Sequence, residues 1–160
     1  MTEPTKSLAD CVRDGMHYLE QERFDEALQN FRQRETSETY LIPYGIATAL
    51  FRRGMKQDTL FVPAIDEILS LYGQAIAMDP HEPSPYLMAG YAYIKKAGLM
   101  YELLEKTREL DFFVASVTAL DNAEKYLTKA GEFNPYFRRE VETLLPTIAE
   151  KRAAAQKLFN

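Results

Sequence analysis

Residues 15–28 read GMHYLEQERFDEAL, a helix-forming stretch that begins on a glycine. Glycine inside a helix costs roughly 1 kcal/mol against alanine, so something must offset it. Its neighbours Leu8, Val12, Met16 and Leu19 recur at helical spacing, and Tyr18 follows three residues on. Past a polar turn, Phe24, Ala27, Leu28 and Phe31 repeat the rule. Two amphipathic runs joined by a short turn make a helix hairpin, and a glycine on the first run admits the second closely.

Working outward, "GIATALFRRG" at 45–54 and "MAGYAYIKKAG" at 88–98 lay over the same stretch. Each carries a small residue (Gly15, Ala47, Gly90) and a larger one three on (Tyr18, Leu50, Tyr93). Glu22, Gly54 and Ala97-Gly98 read as the turn positions that follow. A second pair of segments, "YGQAIAMDP" at 72–80 and "LTKAGEFNP" at 127–135, each bring a helix to an end at a proline. Strand-like alternation is confined to "TLFVP" at 59–63, and the sequence reads as six or more helices with short connections.

These residues resemble the tetratricopeptide repeat, a helix–turn–helix unit of about 34 residues. The first unit matches through Gly15, Tyr18, Phe24, Ala27 and Phe31, and the third through Tyr86, Gly90, Tyr93, Ala123, Leu127, Ala130 and Pro135. The second matches through Ala47, Leu50, Gly54, Tyr72, Ala75 and Pro80. The resemblance implies an all-α fold of helix–turn–helix repeats forming a right-handed superhelix with a C-terminal capping helix. It implies a single domain over 1–160, with repeats at about 8–37, 40–82 and 83–136 and the cap at about 137–158.

Two units are longer than the family's, the second by about nine residues and the third by about twenty-one. The extra length falls in 55–63 and 98–118. The latter is itself helical in pattern, with Leu99, Leu103 and Leu110 on one side, and is expected to lengthen the helices or add one. The last segment places Phe137, Val141, Leu144, Leu145, Ile148, Ala155 and Leu158 on one face, which suits a cap over a terminal repeat. Pro146 is expected to kink or split that helix.

Composition bounds the function. The 160 residues suffice for one domain with a core, and 46% hydrophobic against 27% charged argues against disorder. A net charge of −5 offers no footprint for nucleic acid or an anionic membrane. One cysteine, Cys11, excludes an internal disulfide. The polar N-terminus MTEPTKSLADC does not read as a signal peptide, and no membrane span is expected; the chain reads as cytoplasmic.

His17 and His81 are far apart, and Cys11 lies on a different helix face from His17, so no metal site is expected. Neither phosphate-binding glycine pattern occurs, no carboxylate pair stands out, and no cofactor or catalytic residue is expected. The chain reads as a non-enzyme.

In the family it resembles, the residues of each first helix that do not stack line an open concave groove for a partner's peptide. The matching positions are Val12, Met16, Leu19 and Glu20, then Tyr44, Thr48, Phe51 and Arg52, then Leu87, Tyr91, Ile94 and Lys95. Relatives that hold chaperone tails grip a carboxylate at positions matching Val12, Met16, Gly45, Ser84 and Met88. None of these can do so, and such tails are not expected as ligands. The reading is a peptide-binding adaptor or chaperone, with a homo- or hetero-oligomeric structural subunit, including a homodimer, as the alternative. "MDPHEPSPY" at 78–86 also resembles the junction before the third repeat of bacterial type III secretion translocator chaperones, which are likewise short and acidic. The helix those chaperones carry ahead of the first repeat finds no counterpart.

Overall fold

The structure, a computed structural model, describes residues 6–160; the first five residues of the N-terminal segment read against a signal peptide lie outside the described part. Seven α-helices follow in order: α1 Leu8–Glu20, α2 Phe24–Phe31, α3 Leu41–Gln57, α4 Val62–Met78, α5 Pro83–Thr107, α6 Leu110–Phe133 and α7 Arg138–Phe159. A 3-10 turn, Pro135–Phe137, precedes α7. No strand occurs among the described residues, and Thr59–Phe61 is a loop leading into α4. The fold is all-α and tetratricopeptide-like.

Each helix packs on the next in sequence, and α1, α3, α5 and α7 also touch one after another. The even helices do not pack on one another to that extent. This asymmetry puts the odd helices on the inner side of the array, where successive units lie closer. Three apolar clusters run along it. The first joins α1, α2 and α3 through Leu19, Phe24, Leu28, Phe31, Ile42 and Ile46. The second joins α3, α4 and α5 through Phe51, Ile65, Ile68, Tyr72 and Ala92. The third joins α5, α6 and α7 through Tyr86, Leu120, Leu127, Val141 and Ile148.

Glycine and leucine or phenylalanine interlock where hairpins close. A Cβ on Gly15 would stand 2.5 Å from the ring of Phe31, and one on Gly45 would come closer still to the same ring. Phe31 is thus held between α1 and α3, fully buried. In the third unit Leu127 occupies the matching place, 2.5 Å from a Cβ built on Gly90. Ala47, fully buried, belongs to the middle cluster.

The first turn falls at Glu22 as the sequence reading has it, and the other two differ. Gly54 lies inside α3 and Ala97-Gly98 inside α5. The hairpins instead reverse through residues with positive φ, one each: Glu22, Asp58 and Arg108. None is glycine; Gly54 and Gly90 serve instead as helix positions where size matters rather than φ, against Leu60 and Leu127.

The added length adds no helix. It extends α5 to 25 residues and α6 to 24. Within the extension Met100 and Leu104 are buried, whereas Leu110 is more than half exposed and Leu103 only partly covered. The pattern predicted Leu103 and Leu110, one residue out of phase at Leu103. The tip of this long hairpin is tied to the end of α7: Arg108 donates to the Leu158 carbonyl at 2.9 Å, and Phe113 stacks on Phe159 at 4.6 Å. α7 runs through Pro146 without a break. The exposed ring lies on the solvent side of α7, while Val141 and Ile148 on the opposite side bury in the third cluster and Ala155 is fully buried beyond them.

Candidate functional site

On the inner side, side chains of α3, α5 and α7 and of the α1–α2 turn enclose an open cleft of about 730 Å³. Its walls are Phe24, Phe51, Met55, Leu87, Met88 and Tyr91, with Glu22, Arg52, Lys56 and Glu140 at the edges. Phe24, Phe51 and Leu87 show only 7–8% of their surface, so they form a fixed floor. Met55, half exposed, stands above it. Methionine is flexible and polarisable, which suits a surface meeting varied apolar groups.

The rim carries defined polar contacts. Lys56 donates to Glu22 at 2.8 Å, and this ammonium holds the Glu22 carboxyl below its ordinary range. Tyr91 donates a hydrogen bond from its hydroxyl to Glu140, tying α5 to α7. Burial, then the Glu140 carboxylate, pushes the Tyr91 hydroxyl up to about 12, so it stays protonated and donating at neutral pH. Beyond this bond the cleft continues into a second of about 410 Å³, lined by Tyr91, Glu140, Tyr136, Arg139, Thr143 and Leu144. Tyr136 is 92% exposed at its edge.

The twelve positions carried over by resemblance are distributed unevenly. Phe51, Arg52, Leu87 and Tyr91 line the cleft. Leu19 is core, and Val12 and Met16 pack against the same first cluster. Thr48 is buried and shares a 3.0 Å hydrogen bond with the Tyr72 hydroxyl. Tyr44 leans on the Tyr72 ring at 6.1 Å and packs against the middle cluster. Ile94 packs against the third. Glu20 is exposed and Lys95 half-buried, and neither borders the cleft.

Six cleft residues were not anticipated: Glu22, Phe24, Met55, Lys56, Met88 and Glu140. Met55 and Met88 were legible in principle, since they lie one turn along α3 from Phe51 and one turn before Tyr91 on α5. Glu140 has no signal in the repeat pattern, because it comes from the C-terminal helix folding back. No residue of 98–118 enters the cleft, whereas Met55 and Lys56 of 55–63 do.

A smaller apolar cavity of about 190 Å³ lies where α5, α6 and α7 meet, lined by Ala97, Gly98, Tyr101, Ser116, Leu120, Lys151 and Ala154. Ser116 donates to the Ala97 carbonyl at 3.1 Å and is thereby satisfied. Among the described residues no cluster of His, Cys, Asp and Glu could hold a metal ion, and no helix is long and apolar enough to cross a membrane.

A tetratricopeptide-like helical array with an open inner cleft is the class that fold and site define. No protein-family model matches the sequence, and no curated protein matches it. Among solved structures the chain is similar to one titled MamA MSR-1 C2, at 17% identity and a TM-score of 0.43, over 92% of this chain and 94% of that one.

Proposed function

We propose that the chain is a non-enzymatic protein-interaction module, an adaptor or chaperone that takes a partner's peptide segment into the inner cleft. The observation that carries this reading is the cleft itself: a fixed aromatic and leucine floor, the half-exposed Met55 and the partly buried Met88 beside it, and a charged rim. Open apolar surface of this kind is costly to leave in water and serves recognition. Apolar anchors of the partner would fill the floor, and rim charges would set register. The repeats at 8–37, 40–82 and 83–136 with a cap from 137 are the units that build it. A cytoplasmic secretion-translocator chaperone is the narrower form of the reading, supported by the 78–86 junction.

Probing the purified chain with an array of short peptides tests it, alongside Met55→Glu and Met88→Glu. Met55 is half exposed and Met88 only partly buried, so each can take a charge more readily than the nearly buried Phe51. Both variants are expected to stay folded and to lose at least about tenfold in affinity for every peptide bound. Unchanged binding by folded variants overturns the cleft assignment. A stable dimer in light scattering that dissociates on Met55→Glu would point to the structural-subunit reading instead.

A further inference from the structure

The charges of the cleft are not balanced from within. Glu22 is matched by Lys56, and the Glu140 carboxylate already accepts from Tyr91. Arg52 and Arg139, at the two ends of the continuous cleft, make no ion pair or side-chain hydrogen bond with any described residue. Around the cleft, cations therefore outnumber carboxylates, in a chain whose net charge is −5. Three arginines away from the cleft are paired: Arg34 with Glu38, Arg53 with Asp25, and Arg152 with Asp121 and Glu124.

Resting on the reading above, we propose that the occupant is an acidic–apolar peptide segment, lying extended from α3 to α7. Its leucine, methionine or phenylalanine side chains meet Met55, Met88 and the Phe51–Leu87 floor. One carboxylate pairs with Arg52 and another with Arg139, on either side of the Tyr91–Glu140 bond. An exposed guanidinium suits this role because its planar fork binds a carboxylate through two parallel hydrogen bonds. Glu140 and the paired Glu22 repel an acidic side chain placed elsewhere, which fixes register.

The test uses fluorescein-labelled peptides in anisotropy titrations with the full chain. One peptide alternates Leu or Phe with Asp and Glu, a second replaces the acids by Asn and Gln, and a third replaces them by Lys. The acidic peptide is expected to bind about tenfold or more tightly than its amide counterpart, with affinity falling as salt rises. Arg52→Gln and Arg139→Gln, both exposed, should each narrow the gap between the acidic peptide and its amide counterpart. Equal binding of acidic and amide peptides, or a preference that survives both substitutions, overturns the proposal. If the acidic and amide peptides bind equally and both are lost on Met88→Glu, the cleft reading stands while the acidic preference falls. If none of the peptides binds, or none responds to Met88→Glu, the cleft reading falls with it.

Discussion

The ring of Phe31 occupies the space a side chain on Gly15 would need, 2.5 Å from the position of its Cβ, while Gly45 borders the ring from α3. Phe31 therefore has no direction in which to yield. By helix propensity alone Gly15→Ala gains roughly 1 kcal/mol, whereas forcing a methyl into a filled core costs about 1–3 kcal/mol. Steric cost wins, and Gly15→Ala is expected to lower the thermal midpoint. In a Phe31→Leu background the same change should turn neutral or stabilising. Calorimetry of the four proteins reads the sign directly.

Asp58 closes α3 with φ 51° and ψ 45°, a left-handed conformation costly to most side chains. Asp58→Gly removes that strain and gives back part of the gain through a freer unfolded chain. A net gain of about 0.5 kcal/mol is expected, with Asp58→Ala less stable than the parent because alanine lacks aspartate's tolerance of this region. The order Gly, Asp, Ala in urea midpoints is the check.

Thr48 and Tyr72 share a buried hydrogen bond of 3.0 Å. Thr48→Val keeps the shape and strands the Tyr72 hydroxyl, at a cost of about 1–3 kcal/mol. Tyr72→Phe should cost less, because a helical threonine can turn to its own preceding carbonyl. The double variant is expected to fall short of the sum. Peptide binding should be unaffected throughout, since neither residue borders the cleft.

Alkali should destabilise the protein through its tyrosines. Burial raises the hydroxyls of Tyr40 and Tyr91 from 10.0 to about 12, and those of Tyr44, Tyr72, Tyr86 and Tyr93 also move up. A raised folded value means the folded state keeps protons that the unfolded state releases. Stability is therefore intact below pH 10 and falls as pH rises from 10 through about 12. Tyr91→Phe removes one of these titrations and is expected to make that fall shallower. Far-UV dichroism melts across the range measure the slope.

Several elements were legible because their causes are local. Gly15 and Tyr18, Gly90 and Leu127, and the prolines at 80 and 135 mark the helix hairpins from spacing alone. The apolar face of α7, with Val141, Ile148 and Ala155, follows from the same periodicity. Glu22 was read correctly as a turn, but the other two turns misled because Asp58 and Arg108 show no sequence preference for positive φ, and Gly54 and Gly98 nearby looked like better candidates. The site was half legible. Phe51, Arg52, Leu87 and Tyr91 follow from the repeat pattern, but the pattern assigns equal standing to Leu19 and Thr48.

Periodicity along one helix says which residues share a face. It determined the all-α class, the succession of paired helices and their small-to-large contacts. Which part of a face is covered depends on what packs over it from far along the chain. Phe31 and Ile42 close over α1 and bury Leu19; Tyr72 reaches from α4 to claim Thr48. α7 returns to set Glu140 against Tyr91 and divide the cleft. Those contacts link residues tens of positions apart, so only the tertiary structure decided where the opening lies and which charges at its rim remain unpaired.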